Sequence, residues 1–203
     1  MPKDASTGKM KAGETDYIDT WVAMEALVAK GKARAIGVSN FSQTELERLI
    51  SSSKTKIVPA VHQMELHPYL QQKEFVAWHE ARDIHVTQYS PFGNANPIYT
   101  KGEHVGKLIS DETLGAIGAK YGKSGAQVAL AWGVKHGRTV IPKSVTEKRI
   151  VENFEAVEGD GALVVVLSEE DVRKVGGLDK KVRFNDPSKP FGWEFYKGLD
   201  GKE

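Results

Sequence analysis

IPKSVTEKRIVENF, residues 141–154, reads as the end of a short apolar strand, a basic turn and the start of a helix. Thr146 stands at the N-cap position, where free N–H groups and the positive end of the helix dipole favour an anion. Lys143 adds a point charge, and Arg149, one turn into the helix, adds a planar fork suited to bidentate phosphate binding. Lys143, Lys148 and Arg149 also read as an ordinary solvated helix start. On this stretch alone the two readings are evenly matched. What separates them lies in the rest of the chain.

Working outward, the same strand–turn–helix rhythm recurs upstream. Tyr17, Trp21, Met24 and Val28 recur at helical spacing, with Gly31 as a stop. Ala33 to Val38 reads as a strand running into Ser39 and Asn40, and Ser42-Gln43-Thr44-Glu45 as a capping box opening a helix with Leu46, Leu49 and Ile50 on its buried face. A second strand spans Ile57 to Leu66. Phe75, Val76 and His79 mark a helix, and a third strand runs from Ile84 to Tyr89. A Gly/Asn/Pro-rich loop from Gly93 to about Gly106 is too long for a mere connector. Two helices follow, one striped by Leu114, Ile117 and Tyr121, the other capped at Ser124. The strand Thr139 to Pro142 and a helix from Thr146 to Val157 come next, then a helix from Ser168. Residues 1–15 read as a polar lead-in and 186–203 as an irregular tail carrying Phe191, Trp193, Phe195 and Tyr196.

Such alternation implies parallel strands with right-handed crossovers, in a (β/α) barrel or an open doubly wound sheet. Polar residues gather at the C-terminal ends of the strands: Ser39 and Asn40; Gln63, Glu65 and His67; Gln88, Tyr89 and Ser90; Lys143 and Ser144. In a barrel those ends face one mouth. The GxGxxG fingerprint of the open dinucleotide fold is absent, so a barrel is the better reading.

The chain has 203 residues, enough for one domain, and a formal net charge of +1. That balance gives no global drive toward nucleic acid or acidic membranes. No cysteine is present, so disulfides and thiol chemistry are excluded, and no motif points to a metal. No apolar stretch reaches the length of a bilayer span, and the polar start MPKDASTGKMKAGE is not expected to act as a signal peptide. A cytoplasmic setting is expected.

Five ordered blocks carry a family resemblance: DTWVAMEALVAKGKARAIGVSNF (19–41), VHQMELHPYLQQ (61–72), VTQYSPFGN (86–94), SGAQVALAW (124–132) and the opening stretch, 141–154. Together they resemble the aldo-keto reductases, specifically the second half of that family's (β/α)₈ barrel, with about four strands and their helices. The resemblance implies an oxidoreductase that uses NADP(H) to reduce aldehyde and ketone carbonyls to alcohols. Ser39 and Asn40 resemble the pair that hydrogen-bonds the nicotinamide carboxamide, with Gln63 completing the clamp. Tyr89 resembles the ring that stacks on the nicotinamide, and Ser90, Phe92 and Asn94 resemble the start of the loop over the pyrophosphate. Lys143, Ser144, Val145, Thr146 and Arg149 resemble the site of the adenosine 2′-phosphate, and Glu152 and Asn153 resemble adenine contacts. Each has a plainer reading as turn chemistry, core packing or solvated surface. His67, before Pro68, takes a structural role in the resemblance. His62 receives none, and Met64, Leu66 and Trp78 read as packing.

The family's chemistry needs a tyrosine acid, a lysine that lowers its pKa, an aspartate that holds the lysine and a histidine that orients the carbonyl. No segment here matches these four, so no catalytic residue is assigned and the chain is expected to be inactive alone. Its first strand corresponds to the family's fifth, which makes a fragment of a longer protein the expectation. Four strands cannot close a barrel, so open strand edges and self-association are expected. The alternative is a non-catalytic NADP-binding or interaction half-barrel. Substrate identity stays open beyond a small carbonyl compound or alcohol.

Overall fold

The computed structural model describes residues 2–11, 13–93, 106–156, 165–196 and 198–199. In chain order the elements are α1 (Tyr17–Ala29), β1 (Gly37–Ser39), α2 (Gln43–Ser51), β2 (Val61–Glu65), α3 (Lys73–Glu80) and β3 (His85–Tyr89). They continue as α4 (Glu112–Lys120), α5 (Gly125–Lys135), β4 (Thr139–Ile141), α6 (Glu147–Glu155), α7 (Glu169–Gly176) and the short α8 (Ser188–Phe191). The strands form a four-stranded sheet in the order β1-β2-β3-β4. The pairings are parallel, with Ser39 opposite Gln63 and Tyr89 opposite Ile141. This is an α/β fold of parallel strands and helices, consistent with part of a (β/α)₈ barrel.

The chain divides into two compact units, residues 1–63, 74–85 and 186–203, and residues 64–73 and 86–185. In the first, the capping box expected at Ser42 is complete: Glu45 N–H donates to Ser42 Oγ at 3.3 Å and Ser42 N–H donates to Glu45 Oε2 at 2.7 Å. It starts α2 so that Leu46 and Leu49 become fully buried, about 1.5–3 kcal/mol each by area. On α1, Ile18 and Trp21 are buried, and the Trp21 indole N–H donates to the Ile57 carbonyl at 3.0 Å. Glu25 is buried too, its carboxylate accepting the Lys56 and Ile57 N–H groups at 2.7 and 2.8 Å. Asp16, which caps α1 through Ile18 N–H, pairs with Arg48 of α2.

In the second unit α4 and α5 bury Leu114, Ile117, Val128, Leu130 and Trp132. Ser124 and Gln127 form a second complete capping box at the start of α5. Asp171 of α7 is buried and accepts from Lys120 Nζ at 2.6 Å, Tyr121 OH at 2.7 Å and Ser168 Oγ at 2.9 Å. The Lys120 hydrogen bond, with those of Tyr121 and Ser168, outweighs burial and holds the Asp171 carboxyl down at about 2.

Several expectations shift. β1 starts at Gly37 rather than Ala33 and β2 at Val61 rather than Ile57, because pairing begins only where the two chains come into register. α6 starts at Glu147, and its expected end at Val157 lies outside the described residues, as does loop 94–105. The tail is not wholly irregular, since residues 188–191 make one helical turn closed by Gly192 at φ 72°. The lead-in is tied by an antiparallel bridge between Lys3 and Met10.

Candidate functional site

In the first unit the strand register gathers the three residues expected to hold a carboxamide. Ser39 lies opposite Gln63, and side chains at paired positions of adjacent strands share a face. Ser39 is exposed and Gln63 half-buried, whereas their neighbours Val38 and His62 point the other way into the core. Asn40 follows with φ 60°, a left-handed conformation rare outside glycine and tolerated best by Asn. Its N–H donates to the Gln63 carbonyl at 3.1 Å. The next N–H, of Phe41, donates to His62 Nε2 at 3.1 Å. An exposed hydroxyl and an amide thus sit on a turn whose backbone is tied at each step, beside the Gln63 amide of β2.

In the second unit β3 ends at Tyr89, half-buried, and Ser90 adopts φ 49°. A tight turn follows, with Gly93 N–H donating to the Ser90 carbonyl at 2.8 Å. Gly93 has φ 67°, and a Cβ there would stand 2.7 Å from the Phe184 ring, so only glycine fits. Phe92 is half-buried; Asn94 lies outside the described residues.

The turn is held by a buried carboxylate. Glu65 accepts Phe184 N–H at 2.7 Å and Asn185 N–H at 2.8 Å, and His67 Nε2 lies 3.1 Å away. Asn185 Nδ2 in turn donates to Ser90 Oγ at 3.2 Å. Burial works against ionising Glu65, but the His67 hydrogen bond, the positive charge of Arg183 and the Phe184 N–H outweigh it and hold its carboxyl below the usual range. Three strand-end residues expected at an open mouth are therefore interior. Glu65 and His67 are fully buried partners, which bears out a structural His67, and Gln88 is fully buried against Gly133 of α5. Strand pleating explains Gln88, which shares one face with Val86 while Tyr89 and Thr87 take the other; Glu65 is covered by residues 184–185.

At the start of α6, Lys143, Val145, Thr146 and Arg149 are exposed and Ser144 is half-buried. Thr146 occupies the N-cap position, but its side chain makes no capping bond; instead Thr146 N–H donates to Ser144 Oγ at 3.1 Å. Asp16, Ser42, Asp111, Ser124 and Ser168 by contrast each cap their own helix. Lys143 and Arg149 make no ion pair or side-chain hydrogen bond with the described residues. Glu152 is half-buried and pairs with Lys148 at 3.7 Å, while its carbonyl accepts from Gln127 Nε2 at 3.0 Å. Asn153 is the buried residue of α6. Two exposed cations beside helix N–H groups that no side chain caps fit a phosphate, and the Ser39–Asn40–Gln63 turn fits a planar carboxamide.

Two features escaped sequence reasoning. Nothing in the local pattern marks Glu65 as the anchor of residues 184–185, because its partners lie 119 and 120 positions away. Nor does it mark the buried contact of His62 with His79. Among the described residues no three acidic, cysteine or histidine side chains are grouped to hold a metal, and no helix is long and apolar enough to cross a membrane.

Comparison with known proteins agrees with these observations. The sequence model of the Aldo/keto reductase family matches residues 10–180. An uncharacterized oxidoreductase of Schizosaccharomyces pombe is 44% identical over 187 residues, which cover 91% of this chain and 54% of that protein. Aldo-keto reductase family 1 member A1 of Bos taurus is 38% identical over 187 residues, covering 92% and 54%. The Xenopus tropicalis protein of that name is 41% identical over 180 residues, covering 89% and 52%. The chain thus spans about half the length of the curated relatives it matches. On the family match and these identities, the chain belongs to the aldo/keto reductase family.

Proposed function

We propose that the chain binds NADP(H) and that its residues serve the cofactor of an oxidoreductase acting on aldehyde and ketone carbonyls. The observation that carries this reading is the pair Lys143 and Arg149, both exposed at the N-terminus of α6, where Thr146 at the cap position makes no capping bond. The 2′-phosphate gives Arg149 a bidentate partner that NAD(H) lacks, and Lys143 a counter-charge. Ser144, Val145 and Thr146 line the same turn, and Glu152 and Asn153 follow on α6 toward the adenine. Ser39, Asn40 and Gln63 hold the carboxamide, Tyr89 offers its ring to the nicotinamide, and the Ser90 turn borders the pyrophosphate. NADPH supplies the hydride when bound.

The proton transfer that completes such a reduction needs an acid beside the developing alkoxide. No segment of the 203 residues matches the family's Tyr, Lys, Asp and His, so these residues are expected to bind the dinucleotide without turning over a carbonyl substrate. Quenching of Trp or Tyr fluorescence by added NADP⁺, lost in Arg149→Ala, tests the binding. NADPH oxidation with glyceraldehyde should stay at background. Turnover by a pure preparation, or unchanged affinity in Arg149→Ala, would overturn the reading. A second reading has one observation behind it. β1 and β4 are the outer strands of the sheet order, and Ile141 of β4 is 42% exposed, which favours self-association through strand edges. A mass independent of concentration in sedimentation would exclude it.

A further inference from the structure

Two histidines that the cofactor reading leaves idle are linked in the core of the first unit. Both His62, on β2, and His79, on α3, have no exposed surface. Phe41 N–H donates to His62 Nε2 at 3.1 Å, so that nitrogen carries a lone pair and the ring proton of neutral His62 sits on Nδ1. His62 Nδ1 lies 2.7 Å from His79 Nε2. His79 Nδ1 lies 2.6 Å from the Phe75 carbonyl, which can only accept, so His79 carries its proton there and presents a lone pair at Nε2. One arrangement satisfies all three contacts: Phe41 N–H to His62, His62 to His79, His79 to the Phe75 carbonyl. It requires both rings to be neutral and each to be in the Nδ1–H tautomer.

The end of this chain falls on the turn that carries Ser39 and Asn40. Three successive N–H groups are tied there: Asn40 to the Gln63 carbonyl at 3.1 Å, Phe41 to His62, and Ser42 to Glu45 Oε2 at 2.7 Å. Between them Asn40 is kept at φ 60°, a conformation that persists only when its surroundings over-determine it. Of the three ties, the middle one alone depends on a side chain whose acceptor can be protonated near neutral pH.

We propose that His62 and His79 are positioning residues, a neutral two-imidazole relay that holds the Ser39–Asn40 turn in shape for the nicotinamide end of the dinucleotide. The proposal rests on the reading of Ser39, Asn40 and Gln63 given above. A proton added at His79 Nε2 would face His62 Nδ1–H, and one added at His62 Nε2 would face Phe41 N–H. Either breaks the relay. Burial lowers His79 below its ordinary value of 6.5; Arg82 also disfavours its protonation and Glu80 favours it. On α2, Glu47 is engaged by the Trp78 indole N–H and Glu45 by Ser42. The relay is therefore intact above pH 6.5 and is lost as pH falls through the lowered value of His79.

The test measures affinity for NADP⁺ and for adenosine 2′,5′-bisphosphate, which shares the 2′-phosphate and lacks the nicotinamide. His62→Phe and His79→Phe should each weaken NADP⁺ about tenfold, one lost hydrogen bond, and the bisphosphate less than twofold. His62→Gln, whose amide pairs an acceptor with a donor as neutral imidazole does, should recover most of the loss. In the unmodified chain the ratio of the affinities for NADP⁺ and for 2′-phospho-ADP-ribose, which carries the same single titrating phosphate and lacks the nicotinamide, should hold from pH 7.5 to 6.5 and fall as pH drops below 6.5. ¹⁵N spectra should show both rings as Nδ1–H tautomers at pH 7.5, a readout independent of whether the Phe variants fold. Equal loss of both ligands, a flat ratio, or the opposite tautomer overturns the relay. If the unmodified chain binds the bisphosphate as tightly as NADP⁺, the carboxamide reading itself fails. If it prefers NADP⁺ and the Phe variants keep that preference, only the relay fails.

Discussion

Glu65→Leu removes the single acceptor for three donors in a fully buried place. Phe184 N–H at 2.7 Å, Asn185 N–H at 2.8 Å and His67 Nε2 at 3.1 Å all converge on its carboxylate. Each orphaned buried donor costs about 1–3 kcal/mol, and the lost burden of a buried charge offsets part of the sum. The expected net loss is about 3–5 kcal/mol, a large share of the 5–15 kcal/mol typical of a domain. Glu65→Gln keeps one accepting oxygen but turns an NH₂ toward a donor, so about 2 kcal/mol is expected. With a urea slope of about 1–3 kcal/mol per molar, the Leu variant's midpoint should fall by about 2 M and the Gln variant's by about 1 M. Asn185 would lose its anchor, and with it Ser90 its partner, so Ser90 and Gly93 amides should exchange faster than those of α5. A Leu variant within about 0.3 M of the unmodified chain would refute the idea that Glu65 fixes residues 184–185.

Acid should act through Asp171. Its carboxyl lies at about 2 against an ordinary 3.8, so its stabilisation is complete above pH 3.8 and drains away as pH falls toward 2. Lys120 is half exposed and screened, so about 1 kcal/mol is at stake, and Asp171→Asn should flatten that limb of a pH–stability curve. Gly133→Ala would set a methyl 2.6–2.8 Å from the Gln88 amide, which is fully buried. A loss of about 1–3 kcal/mol in thermal melting is expected. The Gln88 amide has no hydrogen-bond partner among the described residues, so Gln88→Met should change stability by less than about 1 kcal/mol.

Local sequence signals carried most of the fold because their causes are local. The boxes at Ser42-x-x-Glu45 and Ser124-x-x-Gln127 need only a spacing of three, and both form with reciprocal bonds. Strand starts were misplaced by four residues at β1 and β2, because pairing depends on a partner strand that propensity does not see. Of the candidate site, Ser39, Asn40 and Gln63 do come together, through the pairing of Ser39 with Gln63 and the Asn40 N–H bond to the Gln63 carbonyl. Thr146 takes the N-cap position, but its hydroxyl does not cap; its own N–H donates to the Ser144 hydroxyl. Gln88 and His62 escaped because period-2 pleating decides which strand-end polar residues face inward, and a one-residue change of register reverses the answer; Glu65 escaped because its partners lie 119 and 120 positions away.

The central claim, that Arg149 and Lys143 select a 2′-phosphate, is tested most directly by titrating the 203-residue chain calorimetrically with NADP⁺ and NAD⁺. One bidentate charged contact is worth about 1.5–3 kcal/mol, so NADP⁺ should bind about tenfold to a hundredfold tighter, and Arg149→Ala should bring the ratio near one. Equal affinity for the two dinucleotides, or a preference that survives Arg149→Ala, would contradict the account.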